Sequence, residues 1–220
     1  MFIGHFAVGF GAKRFAPRTS LGVLLAATLL SDLLWPLFLL FGWEAVRIDP
    51  NGMKMAPFDF VSYPWSHSLL MCAAWATAFA SIYYGITRYP KGTAAIAVGV
   101  FSHWFLDWIT HKPDLPLYPG GKLLGLGLWN FMVGAVLLEL LMFATGLWLY
   151  LSRTRARDRI GRYALWAYVV LLIAAYLLDS FSGKLPNSVK GGIAWSGLVL
   201  GALMLVWAWW LDRHRVSIER

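Results

Sequence analysis

Three histidines and an aspartate, His67, His103, Asp107 and His111, fall in stretches that otherwise read as membrane helix. His103 and Asp107 are four residues apart and so share one helix face. At that spacing an imidazole and a carboxylate can bind one metal ion, or the carboxylate can orient the imidazole. His111 is a further four along and drifts about 80° from His103 on an ideal helix. It converges on the same site only if the helix ends near it, as Pro113 indicates. Ionisable side chains are expensive in a bilayer, so such a cluster is a functional-site hypothesis by default. The rival reading is a buried hydrogen-bond network tying spans together. Ser, Thr, Asn and small residues are the usual choice for that task.

Other polar groups lie at compatible depths. Asp32 sits ~18 Å above Ser20 at the helical rise, and His103 and Asp107 sit ~15 and ~21 Å above Thr93. His67 opens the second apolar run, within reach of Asp107 and His111. His5 lies in a short N-terminal apolar stretch, ~12 Å from Lys13 if helical, and either approaches Asp32 from below or is an interfacial histidine. The candidate ligands are therefore His5, Asp32, His67, His103, Asp107 and His111. Asp32 is also a candidate catalytic base, as is Glu139, alone in the middle of Leu137-Leu138-Glu139-Leu140-Leu141. Asp179, Asn130 and Ser66 are weaker candidates of the same kind. Nitrogen and oxygen donors suit Zn, with Mn or Fe as alternatives. The single cysteine, Cys72, excludes an intrachain disulfide and a Cys-x-x-Cys site. There is no His-Glu-x-x-His, P-loop or Gly-x-Ser-x-Gly elbow.

These residues must be held by a membrane bundle. Of 220 residues 59% are hydrophobic and 14% charged, with a mean hydropathy of +0.61; soluble domains carry about 25% charged residues. The expected fold is all-α: one integral membrane domain of about six spans. They are Thr19–Trp43, Ser66–Thr87, Thr93–Thr110, Leu126–Leu151, Tyr163–Phe181 and Gly191–Leu211. Phe2–Phe15 precedes them as a re-entrant or interfacial half-helix, too short to cross. The first long run, with Asp32 inside it and no cleavage site after it, should stay as a span rather than leave as a signal. Lys13, Arg14, Arg18, Arg88, Lys91, the five arginines of 153–162, Arg213 and Arg215 all fall on one side. By the positive-inside rule that side is cytoplasmic, with both termini on it. The net charge of +8 is thereby accounted for without nucleic acid. Trp43, Trp65, Trp108 and Trp129 would form an outer aromatic belt, and Trp148, Tyr150, Trp207, Trp209 and Trp210 an inner one. Gly197 and Gly201 form a helix-packing pair.

Four motifs, Gly4-His5, Ser31-Asp32, Ser66-His67-Ser68-Leu69 and Ser102-His103 through Asp107, carry a resemblance. In order and approximate spacing the chain resembles the YdjM-type family, described as predicted membrane-bound metal-dependent hydrolases of the bacterial inner membrane. The resemblance covers roughly residues 1–125, leaving three additional spans in 126–220. Two departures stand out. Leu33-Leu34-Trp35 replaces a second acidic residue and a histidine, and Tyr63-Pro64-Trp65 replaces an Arg-Gly. Missing ligands imply one metal rather than two, or a lost activity, with Glu139 or His111 as substitutes.

The function expected is a metal-dependent hydrolase acting on a lipid-like ester or phosphoester, with membrane lipids as its surroundings. The alternatives are a metal-ion or proton transporter using the same residues, and a structural protein whose polar network only packs helices.

Overall fold

The computed structural model describes residues 1–53, 55–182 and 184–218. It is a helical bundle built around its own N-terminus. Helix α1 (Ile3–Ala12) is only 10 residues long, and eight of them are buried. A helix apolar on every side belongs inside a bundle. At 1.5 Å per residue it is ~15 Å long, about half a hydrocarbon core of ~30 Å. The half-helix expected from the sequence is therefore not interfacial but central. Its neighbours come very close. A Cβ at Gly146 would run into the backbone of Ala7, and one at Gly9 would meet Leu25 and Thr28.

Helix α2 (Leu21–Thr28) starts at Ser20, whose side chain accepts from the Val23 N–H. It breaks after one residue into α3 (Leu30–Phe41), bent by 59°. Helix α3 contains Pro36 and ends at Gly42, whose φ of +73° closes the C-terminus in the left-handed region. An antiparallel ribbon follows, β1 (Ala45–Met53) with β2 (Ala56–Ser62). A single turn, α4 (Pro64–His67), then leads through the Ser68 cap into α5 (Leu69–Thr87). Helix α6 (Pro90–Thr110) begins on a proline, which needs no N–H partner there. A short ribbon, β3 (Leu115–Pro116) with β4 (Leu123–Leu124), precedes α7 (Met132–Leu151). Strand β5 (Thr154–Ala156), α8 (Arg159–Ser182), a π-helical turn (Val189–Trp195) and α9 (Ser196–Arg213) follow. Strand β6 (Arg215–Ser217) closes the order by pairing with β5.

Among the described residues four helical stretches are long and apolar enough to cross a membrane: Leu69–Thr87, Met132–Leu151, Arg159–Ser182 and Val189–Arg213. The bent pair α2–α3 makes a fifth if counted as one span. Six spans were expected, and the shortfall is α6. It has 21 residues, but Lys91, Ser102, His103, Asp107 and Thr110 dilute its apolar character. The three small ribbons also qualify the all-α expectation.

Phe10 of α1 packs edge-on against Phe143 and Tyr150 of α7, at 5.7 and 5.2 Å between ring centres. Tyr150 is fully buried and so does not join a lipid-facing belt. Gly197 and Gly201 lie against Pro36 and Leu33, which lets α9 pack on α3. At the end of the bundle where the basic loops gather, Lys13 Nζ donates to Asp212 Oδ2 at 2.6 Å and to the Thr19 carbonyl at 2.8 Å. Asp212 also accepts from the Leu21 N–H and the Tyr150 hydroxyl, both at 2.9 Å. One carboxylate thus joins α1, α2, α7 and α9.

Removing one partner of a buried ion pair leaves the other uncompensated, at a cost of about 3–5 kcal/mol. Asp212→Ala should lower the thermal midpoint in detergent sharply, and Lys13→Met/Asp212→Leu should recover most of the loss. Equal midpoints for Asp212→Ala and the native protein would show that the knot contributes nothing.

Candidate metal centre

Five of the polar residues singled out in the sequence converge. His5 comes from α1, Asp32 from α3, His67 from α4, and His103 and Asp107 from α6. His103 Nε2 lies 3.0 Å from Asp107 Oδ2 and 3.6 Å from Asp32 Oδ1. His67 Nε2 lies 3.5 Å from Asp32 Oδ1 and 3.7 Å from Asp107 Oδ2. His5 Nε2 is 3.1 Å from the other Asp107 oxygen, and its ring stacks on that of His103 with centres 3.8 Å apart. The Met1 amino group also donates to Asp107 and, at 3.2 Å, to Thr110 Oγ1. All of these side chains are buried except Asp32, which is 42% exposed. Asp32 therefore marks the accessible side.

The ring orientations are fixed from behind. His103 Nδ1 lies 2.8 Å from the Thr28 carbonyl. A carbonyl only accepts, so Nδ1 carries the proton. That carbonyl is free because α2 ends at Thr28, where the bend interrupts the helix. His67 Nδ1 lies 2.7 Å from Ser66 Oγ, which itself donates to Glu44 Oε2 at 2.7 Å. Glu44 Oε1 accepts from the N–H groups of Trp65 and Ser66, both at 2.8 Å. Burial pushes the Glu44 carboxyl above its ordinary value, against the pull of the Ser66 and Trp65 donors.

Both His67 and His103 consequently turn Nε2 toward two carboxylates. The buried His103 Nε2 has no hydrogen-bond partner. In the neutral form that atom would turn a lone pair toward two carboxylates, a repulsion that a proton or a metal cation between them relieves. Four donor atoms, Asp32 Oδ1, His67 Nε2, His103 Nε2 and Asp107 Oδ2, are separated along four of their six edges by 3.0–3.7 Å. Donors ~2.1 Å from a tetrahedral ion would be ~3.4 Å apart. Two overlapping trios, His5–His103–Asp107 and Asp32–His67–His103, could each hold a metal ion. The residues fit a divalent cation, and a histidine backed by a carbonyl or a carboxylate relay is the usual support for one.

Two sequence candidates lie elsewhere. Helix α6 stops at Thr110, and extended backbone at His111 carries its ring away. Its Nδ1 is 3.1 Å from Asp114 Oδ1 and 3.3 Å from the Tyr63 hydroxyl. Tyr63 donates to the same Asp114 oxygen, and burial beside that carboxylate holds its hydroxyl well above its ordinary value. Glu139 is fully buried behind α1, where Oε2 accepts from the N–H groups of Phe2 at 2.8 Å and Gly4 at 3.1 Å. It caps the N-terminus of the helix that carries His5. Sequence reasoning missed Glu44 and the Thr28 carbonyl. Ser66, next to His67, was the available signal for the first, and the second had none.

The chain matches the family described as YdjM inner membrane protein over residues 1–184. It belongs to that family. The match reaches well past residue 125, so α7 and α8 are part of the family unit rather than additions to it. No curated protein and no solved structure matches the chain.

Positioning by Glu139 is testable. Glu139→Leu strips the partners from the α1 N-terminus and should weaken retention of added Zn about 10–100-fold, the usual cost of losing an outer-shell support. Glu139→Gln keeps an acceptor and should stay close to the native protein. Equal Zn retention by all three would remove Glu139 from the account.

Proposed function

We propose that this membrane protein is a metal-dependent hydrolase acting on a lipid-like ester or phosphoester. The observation that carries the reading is the set of four N and O donors at metal-ligand spacing, three of them on buried side chains and the fourth on the partly exposed Asp32. Zn suits this set best, with Mn or Fe as alternatives. Such an ion, when bound, supplies a Lewis acid that polarises a carbonyl or phosphoryl oxygen and acidifies water near neutral pH.

The remaining work belongs to the chain. His67, His103 and Asp107, buried and braced from behind, are the fixed ligands, and His5 completes the shell. Asp32 is the ligand free to yield its place, because its side chain alone is half exposed. As general base its carboxylate would take the proton of the attacking water. Glu139, remote from the opening, positions His5. In this reading the basic loops and the end of α9 face the cytoplasm, and Met1, which donates to Asp107, lies in the outer half rather than on that side. His103, thirteen residues into α6, then lies ~20 Å from its basic end, in the outer half of the bundle.

The test uses purified native protein, Asp32→Asn and His103→Ala, assayed on fluorogenic lipid carboxylester and phosphodiester substrates. Loss of a general base typically costs 10²–10⁴-fold. Asp32→Asn should fall by about that much while still binding metal, and His103→Ala should lose both. Turnover undiminished in both variants would defeat the proposal.

A further inference from the structure

A second feature lies between the metal centre and the basic end. Helices α6 and α7 both lean on α1 and leave a groove of about 900 Å³, within the size range of small-molecule sites. Ala7, Gly11 and Ala12 of α1 form its floor. Its rims are apolar and open to the side: Val98 is 65% and Leu141 67% exposed. Along α6 the groove runs from Lys91 to Gly99, ~12 Å at the helical rise against a single leaflet of ~15 Å. Gly99 is one turn below His103.

The mouth is charged. Arg14 and Lys91 flank it, and among the described residues neither pairs with a carboxylate. Lys13, next to Arg14, is by contrast buried against Asp212. Arg14 makes one side-chain hydrogen bond, to Ser152 Oγ at 3.4 Å. Two free cations over a leaflet-deep apolar slot match one molecular plan, a phosphate above a hydrocarbon chain.

We propose that this groove binds an anionic phospholipid, one acyl chain between α6 and α7 and the phosphate on Arg14 and Lys91. Orientation by the positive-inside rule would draw that lipid from the cytoplasmic leaflet. Binding here does not require the metal centre to be catalytic.

Native mass spectrometry of the detergent-purified full chain tests it, with dioleoyl phosphatidylglycerol and dioleoyl phosphatidylcholine as probes. The native protein should retain one phosphatidylglycerol roughly tenfold more strongly than phosphatidylcholine, in line with two basic contacts near a membrane surface. Arg14→Gln/Lys91→Gln should erase that preference. Ala94→Phe, at an exposed groove position, should abolish retention of both lipids with an unchanged thermal midpoint. His103→Ala/Asp107→Ala should bind phosphatidylglycerol like the native protein. Undiminished turnover in that variant with intact binding would thus fault the hydrolase reading alone. Absence of a phosphatidylglycerol preference in the native protein, or its survival in both groove variants, would overturn the lipid site.

Discussion

Helix ends inside a membrane-depth bundle cannot be left to water. Unsatisfied backbone groups there cost several kcal/mol each, and interrupted helices occur only where protein groups replace the solvent. Among the described residues two such ends meet the candidate centre, the N-terminus of α1 and the C-terminus of α2. Glu139 accepts from the first and His103 donates to the second. The same two contacts aim the candidate metal centre. Capping α1 fixes the height of His5, and donating to Thr28 leaves the His103 Nε2 lone pair facing the carboxylates. Fold and site are therefore not separable here. A straight α2–α3 helix would occupy the Thr28 carbonyl and take away the brace.

The centre is also assembled from distant pieces of chain. His67 reaches it from a single helical turn, braced through Ser66 by Glu44 beyond α3. The opposite end of the bundle is tied by Lys13 and Asp212. Helix α1 is held at both ends, capped by Glu139 above and pinned by Asp212 below. A short central helix fixed in that way can present His5 without crossing the bilayer itself.

Much of this was legible in the residues. The His103–Asp107 face follows from helical spacing, and the depth matching of Asp32 and His5 follows from the rise per residue. A helix end near His111 was expected to let it converge; α6 does end at Thr110, but the extended backbone there carries the ring to Asp114 and Tyr63 instead. Other features were not legible. A site-bearing helix loses apolar character in proportion to its polar residues, so α6 is not apolar enough to stand among the spans although it is 21 residues long. Glu139 read as a catalytic group because hydropathy shows an acid in lipid but not the N-terminus it caps. Tyr150 read as a belt residue, yet its hydroxyl is held inside by Asp212. Backbone acceptors such as Thr28 leave no side-chain signature at all.

The central claim is that a divalent cation belongs among Asp32, His67, His103 and Asp107. Elemental analysis of the purified protein beside a His103→Ala/Asp107→Ala variant, after both are offered Zn, Mn and Fe, addresses it most directly. About one or two equivalents in the native protein, lost in the variant, is the predicted result. Equal and negligible metal in both would contradict it, leaving the cluster as a hydrogen-bond network that packs helices.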